Sequence, residues 1–509
     1  MVTARVKPFI EFIILKHLIV RGGSIVKDVR FNRLENVIFV YFCVVLFVCA
    51  WLYWLWTRRK YYALIFKLPG RMGYPLVGVA LELAKYEPLE AVHKYTETFG
   101  PLRYVWMLTY PILLISEPDI IRDILTSPCC TNKNDFYKSI AIGVGKGLFS
   151  SKDPEWSVHR KHLNPAFGFK ILQSFMPIFN EEVNNLVNLF KEINECQNVV
   201  TLLQDFTLNV AIRTTMGVNF AHEFGSESNS AITKGYQWIR RLLGVYEPFH
   251  SSNEENRKFI RKLINNKLNG NDGTNLNQGK SKNSNIFIDQ AIELMRNNIF
   301  AEQDVENESN TIVLGAFETT ANTIGYVLIL LAMFPEYQQK VYEELLTIFP
   351  DGGEFEVTYA NTQDMTYMDM VINESMRVLT PVPFVGRENS HDIELSNGIV
   401  IPAGVNLLIN IFTTHRRKNL WGPNADQFDP DHFLPSNMEG KHPYAFIPFT
   451  KGIRNCIGWK YGLMSTKVTL AKLLRNFKFS TDFQYADLEF DYAIVLKLKH
   501  TPVLRIENR

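Results

Sequence analysis

From Val37 to Trp56 the chain reads VIFVYFCVVLFVCAWLYWLW, twenty residues without a charge. A helix needs about 20 such residues to cross the hydrocarbon core of a bilayer. Trp and Tyr gather at the C-terminal end of the run, as at a membrane interface, and Arg58-Arg59-Lys60 follow as a stop. The run is too long for the apolar part of a cleaved signal, and no small-x-small site follows it. A transmembrane anchor is therefore predicted over residues 37–56. Ahead of it, residues 1–36 form an N-terminal extension of unknown role. Its basic residues (Arg5, Lys7, Lys16, Arg21, Lys27, Arg30 and Arg33) mean that positive charge flanks the span on both sides. Charge asymmetry alone therefore does not orient the span.

A second apolar stretch runs from Ser309 to Pro335, and its only charged residue is Glu318. Asn310, Thr311, Thr319, Thr320, Asn322 and Thr323 interrupt it, which favours a buried core helix over a second span. An isolated carboxylate in such a helix is costly, so its presence points to chemistry. A third helical pattern (Tyr461, Met464, Val468, Leu470, Leu473, Leu474) follows a Gly-rich loop. β-rich runs at Arg103–Met107 and Pro111–Ser116 flank Thr109-Tyr110, a predicted hairpin. Ile399–Asn410, with Pro402-Ala403-Gly404 at its turn, and Ile494–Ile506 read as further hairpins. Residues 57–78, with Leu68-Pro69-Gly70 and Pro75 to Gly78, read as a basic, proline-rich hinge. Asn265–Asn285, rich in Asn, Gly, Lys and Ser, reads as a flexible surface loop. The pattern as a whole is mainly α with small β sheets, and residues 79–509 read as one catalytic unit.

Composition changes this picture little. Of 509 residues, 46% are hydrophobic and 13% aromatic, enough for a substantial core. A net charge of +2 gives no bulk argument for binding nucleic acid. The six cysteines form no disulfide framework and no C-x-x-C pair, so a reducing, cytosol-facing compartment fits best.

The chemistry centres on Phe449-Thr-Lys-Gly452-Ile-Arg454-Asn-Cys456-Ile-Gly458. A thiolate at a helix N-terminus is favoured by the unpaired N–H groups there. Gly452 and Gly458 would let backbone approach something flat and bulky, and Arg454 offers it a cation. The spacing Phe-x-x-Gly-x-Arg-x-Cys-x-Gly resembles the haem-ligand loop of the cytochromes P-450. Four further motifs resemble that family in its order, over roughly Leu68 to Ile506. Trp156 and Arg160, four residues apart in a phrase ending Asn164-Pro165-Ala166-Phe167, resemble the pair that the family sets over a haem propionate. Gly315-Ala316-Phe317-Glu318-Thr319-Thr320 resembles its oxygen-activation segment: small residues leave room for dioxygen, while the acid and the threonine manage protons. Glu374 and Arg377, alone an ordinary helical ion pair worth under about 1 kcal/mol, resemble a buried pair of the family. Phe428-Asp429-Pro430-Asp431-His432-Phe433 resembles the segment that gives this pair a third, cationic partner, with His432 where arginine is common. A triad that loosens as pH rises is expected from that exchange.

The resemblance is closest to insect members of the clan that contains the fatty-acid ω-hydroxylases. It implies a triangular-prism fold behind the anchor and a haem b with Cys456 as axial thiolate. Trp156, Arg160, Arg387, Phe449, Arg454 and Gly458 would bind the cofactor. Glu318, Thr319 and Cys456 would be catalytic, and Gly315, Ala316, Thr320, Val382 and Phe384 (with Val385 beside them) would line the substrate pocket. Many enzymes of that clan esterify the haem to a glutamate at the position of Gly315, so here the haem is expected to be non-covalent. The implied reaction inserts one atom of dioxygen into a lipophilic substrate, an endogenous lipid or hormone or a foreign chemical. Electrons would come from NADPH through a separate NADPH–cytochrome reductase, with cytochrome b5 as a second donor. No Gly-rich nucleotide motif stands in the chain. Lys161, Lys451 and Lys460 would give the thiolate side a basic face for such a donor. The endoplasmic reticulum membrane is the implied location. Two alternatives stand beside this reading: an isomerase or lyase acting on peroxides, and a non-catalytic haem binder.

Overall fold

The computed structural model describes residues 33–74, 77–83, 88–107, 110–218, 251–268, 286–351, 353–492 and 494–509. Residues 1–32 of the extension, Leu108-Thr109 and most of Asn265–Asn285 lie outside these. The chain forms two compact units, Met1–Ala63 and Leu64–Arg509. The first is built on helix α1, Arg33–Thr57. Within it Ile38–Thr57 has a mean hydropathy of 2.4 and is nowhere buried. The Arg58 and Arg59 guanidinium groups lie 4.5 and 4.3 Å over the rings of Trp54 and Trp56, a cation–aromatic collar at the end of the apolar run.

The second unit is mainly helical. Its elements that position the site are α2 (Phe136–Val144), α3 (Glu155–Leu163), α4 (Val199–Met216), α5 (Glu302–Met333), α6 (Thr366–Val378) and α7 (Trp459–Asn476). α5 runs through the middle, and Val327 to Leu331 on it are completely buried. It is the core helix that its threonines and asparagines predicted, but it starts seven residues before Ser309 and brings Glu306 and Glu308 inside. Asp304 caps its start by accepting the Ala301 amide at 2.8 Å, and Pro335 opens the next helix. α4 packs closely along it. A Cβ at Gly325 would lie 2.8 Å from Val200 Cγ2, and the Thr207 hydroxyl donates to the Phe317 carbonyl at 2.9 Å.

The largest sheet has five strands, β1 (Gly70–Arg71), β2 (Leu102–Met107), β3 (Tyr110–Ile115), β4 (Phe384–Glu388) and β5 (Asn406–Asn410), in the order β1-β2-β3-β5-β4. The hairpin is present: Leu102 pairs with Ile115 and Met107 with Tyr110. The other two expected hairpins are not. Val400-Ile401 pairs with Ile393-Glu394, whereas β5 pairs with β3 and β4 in a different sheet. Buried Asn389 diverts the chain there, donating to the His391, Ile401 and Pro402 carbonyls and accepting the Val405 amide. Likewise Leu496–Leu498 pairs with Phe490–Tyr492, while Leu504–Asn508 joins Phe477–Ser480 and Glu195-Cys196. Two departures are local. The hinge carries a helix, Arg59–Ile65, and the helix Ser251–Leu268 extends into the stretch read as loop from Asn265.

Candidate functional site

Cys456 lies two residues before Gly458, the N-cap of α7. Its amide donates to the Phe449 carbonyl at 3.0 Å, which closes the loop on itself. Gly452 has a φ of 76°, and a Cβ there would fall 2.0 Å from the Leu125 carbonyl oxygen. The expectation for Gly452 is thus corrected: its missing side chain serves a left-handed turn against Leu125. Gly458 is different, because a Cβ there would meet nothing nearer than 4.0 Å. Thr450 also has a positive φ, 55°, which strains a β-branched residue within the loop.

The Cys456 residue has an exposed surface, yet burial is the largest influence on its thiol and raises its pKa. Cys456 thus keeps accessible surface although protein crowds its thiol closely enough for burial to dominate. The Gly458 N–H and the charges of Arg160 and Lys133 act the other way and favour the thiolate. Gly315 is exposed in the middle of α5, with Ile312, Val313, Phe317 and Glu318 buried around it. A Cβ at Gly315 would meet nothing within 4 Å. α5 reaches α7 at Thr320, whose hydroxyl lies 4.0 Å from where a Gly462 Cβ would stand. Phe449 is equally near that point. Thr320 therefore faces α7, while Gly315, Ala316 and Thr319 keep accessible surface. The Thr319 hydroxyl donates back to the Gly315 carbonyl at 2.9 Å, a bond that tends to bend a helix. Glu318 beside it is buried. Val382 is half-buried, whereas Phe384 and Val385 are buried, Phe384 within the main core.

The cations divide their work. Arg160 on α3 donates to the Asn455 carbonyl and side chain at 2.9 and 3.0 Å, next to the cysteine. Trp156, one turn earlier, lies under the Arg454 guanidinium at 4.3 Å. Arg454 donates to the carbonyls of Thr131, Leu148 and Ser151 at 3.1, 3.2 and 2.8 Å. Burial, then repulsion from Arg387, brings its pKa down to about 9. Buried Arg387 on β4 is lowered too, by burial, and donates to the Gly386 carbonyl. Lys133 is a residue that the sequence reading missed. Its ammonium lies 4.3 and 4.0 Å over the rings of Tyr137 and Phe149. Burial lowers its pKa strongly, and repulsion from Arg454 and Arg387 adds to that. Lys133 stands in the stretch before α2, whose periodicity is too short to place it. None of Lys133, Arg387 and Arg454 forms an ion pair among the described residues. A cluster of cations that repel one another, Arg387 and Arg454 buried and Lys133 half-buried, fits an object that brings its own carboxylates. A soft sulfur donor fits iron. Together with the open surface at Gly315, the residues suit a haem.

Glu374 and Arg377 on α6 are fully buried. The guanidinium is bidentate, with both N···O distances 2.7 Å, and His432 Nδ1 stands 3.1 Å from Glu374 Oε1. The Asp429 amide adds a fourth donor to the carboxylate at 2.8 Å. Burial pushes the Glu374 carboxyl up, but Arg377 and His432 more than offset it, and the net shift is downward. Of the lysines on the thiolate side, Lys451 donates to the Pro443 carbonyl, Lys460 lies 5.3 Å from the Trp459 ring, and Lys161 is exposed.

The cytochrome P450 family model matches residues 68–501. A Drosophila melanogaster protein described as "Probable cytochrome P450 313a4" is 47% identical over 488 residues, which cover 92% of this chain and 98% of that protein. "Probable cytochrome P450 313a3" of the same organism is 40% identical over 91% of this chain and 98% of its own length. "Cytochrome P450 4c3", also from the fly, is 29% identical over 89% and 91%.

Proposed function

Because the chain belongs to the cytochrome P450 family, we propose that Cys456 is the thiolate ligand of its haem and that a lipophilic substrate is oxygenated beside Gly315. The family makes the chain an oxidoreductase, a haem-thiolate monooxygenase with a redox partner and a small-molecule substrate. The bound haem would supply activation of dioxygen at iron, favoured by electron density from the thiolate. The observation that carries the reading is Cys456 itself, accessible just ahead of α7, with the Gly458 N–H and the charges of Arg160 and Lys133 acting on its sulfur.

This chain's own residues then have definite tasks. The Gly458 N–H and Arg160, through Asn455, stabilise negative charge at the sulfur. Lys133, Arg387 and Arg454 hold the two cofactor carboxylates, with Trp156 supporting Arg454. Thr319 and Glu318 deliver protons, the threonine by swinging its hydroxyl off the Gly315 carbonyl. Gly315 offers no side chain for a covalent link, so the haem is held non-covalently. Ala316 and Val382 contribute to the pocket. Glu374, Arg377 and His432 are structural. The unburied apolar run in α1 supports anchoring in the endoplasmic reticulum membrane with the catalytic unit on the cytosolic side. An NADPH-dependent reductase supplies electrons there, with cytochrome b5 as an accessory.

The test is product formation by the full chain with NADPH and added reductase, read by mass spectrometry. A fatty-acid chain-length series and a panel of lipophilic foreign compounds are the substrates. Cys456→Ser abolishes every NADPH-dependent product if the reading holds. Oxygenation that persists in that variant overturns it, and products formed from peroxides without NADPH would favour the isomerase alternative.

A further inference from the structure

Glu308 is fully buried on α5, two turns before Gly315, and the apolar stretch from Ser309 stops one residue short of it. One oxygen, Oε1, lies 2.7 Å from His159 Nδ1, and the other, Oε2, accepts the Leu148 amide at 2.9 Å. The loop that carries Leu148 is pressed onto α5 here. A Cβ at Gly147 would fall 2.2 Å from Thr311 Oγ1 and 3.0 Å from Glu308 Oε2. Each partner of the carboxylate leads to the thiolate loop. His159 directly precedes Arg160, which holds Asn455. Leu148 offers its carbonyl to Arg454, as Ser151 of the same loop does.

We propose that Glu308 is a positioning residue for the thiolate loop. One carboxylate fixed on α5 holds the ring of His159 and the amide of Leu148, and through them Arg160, which grips Asn455, and the carbonyl that receives Arg454 of the thiolate loop. Three segments distant in sequence thereby keep one spacing, and the depth of the space between α5 and Cys456 is set by it. This inference deepens the haem reading and rests on it only for the spectroscopic part of its test.

The charges around the ring give the device a pH signature. His159 faces Glu155 from its own helix and Asp304 and Glu308 from α5, and it packs at a tilt against the Phe300 ring with centroids 4.4 Å apart. Burial lowers the His159 pKa, but Glu308 reverses this and the net shift is upward. The Glu308 pKa is raised by burial, against the pull of His159 and the Leu148 amide. A group whose pKa is raised on folding contributes stability below its unfolded value and loses it as pH climbs through the folded one. The clamp needs Glu308 ionised, so its loosening toward higher pH comes from the His159 ring losing its proton as pH climbs through the folded value.

The experiment uses the full chain in detergent, as wild type, E308Q, E308A and H159Q. Two readouts are taken across pH: hydrogen exchange of the Leu148 amide, and the ferrous–carbon monoxide band that distinguishes thiolate from non-thiolate ligation. E308A is expected to speed exchange at Leu148 by about tenfold, as loss of one buried hydrogen bond to a charged group allows. It should also speed decay of the thiolate band several-fold. In E308Q the amide oxygen still accepts from Leu148, so protection is largely rescued there, but the acceleration of band decay with rising pH disappears. H159Q loses the same pH step while Leu148 stays protected. If E308A does not accumulate as folded protein, E308Q and H159Q decide the matter. Unchanged Leu148 exchange in E308A, or a wild-type pH step that persists in E308Q and H159Q, overturns the proposal. A wild-type chain with no thiolate band would overturn the haem reading instead, and Leu148 exchange would still report on Glu308.

Discussion

Truncating Glu374 to alanine tests whether burial turns an ordinary helical ion pair into a structural centre. Arg377 uses all five of its N–H groups: Nε and one Nη2 hydrogen go to Glu374, and the others go to the carbonyls of His415, Ala425 and Gln427. The guanidinium also lies 5.0 Å over the Trp421 ring. Without the carboxylate, the arginine keeps its charge in a site that no water reaches, and the Asp429 amide and His432 lose their acceptor. Breaking a buried pair from one side costs about 3–5 kcal/mol, whereas an exposed pair at this spacing is worth ~0.5 kcal/mol. Denaturant unfolding of the solubilised chain, followed by circular dichroism, measures the difference. A loss below about 1 kcal/mol would refute the argument, because it would mean that solvent screens the pair. The double replacement E374M/R377M is expected to lose less than E374A alone, since it removes the stranded charge. The pH dependence has a definite sign. The Glu374 pKa is lowered on folding, so the pair's contribution is present above the unfolded carboxyl value and fades as pH falls through the folded one. The gap between wild type and E374A should therefore narrow in acid.

Three further outcomes are expected. Two glycines of α5 respond oppositely to alanine: G315A gains up to about 1 kcal/mol from helix propensity because its Cβ meets nothing, whereas G325A loses about 1–3 kcal/mol against Val200, both read by thermal unfolding. G452A costs at least ~1–3 kcal/mol of backbone strain and weakens the ferrous–carbon monoxide band of thiolate ligation, because it meets both a positive φ and the Leu125 carbonyl. His432→Arg changes haem retention in mild denaturant far less than E374A does, because Arg377 and the Asp429 amide still serve Glu374; a loss as large as that of E374A would refute this.

The sequence by itself determined the elements whose signals are local. Val37–Trp56 is uncharged for a bilayer's length, and threonines and asparagines mark Ser309–Pro335 as core. The loop from Phe449 to Gly458 carries its chemistry in ten positions, and Glu374 stands one helical turn from Arg377. Tertiary structure decided what depends on partners far apart in the chain. Strands around Pro402-Ala403-Gly404 look like one hairpin, but pairing is set by hydrogen bonds across sheets, and the side chain of Asn389 sends the two halves apart. The family resemblance assigns Arg454 and Trp156 separately to the haem, and only the fold stacks one on the other. Lys133 and Glu308 carry no periodic or motif signal at all. Their roles come from what surrounds them: rings and repelling arginines for the lysine, a histidine 149 positions away and an amide 160 positions away for the carboxylate. Burial and charge pairing are properties of the folded surroundings, and a linear pattern records them only where the partners are neighbours in the chain.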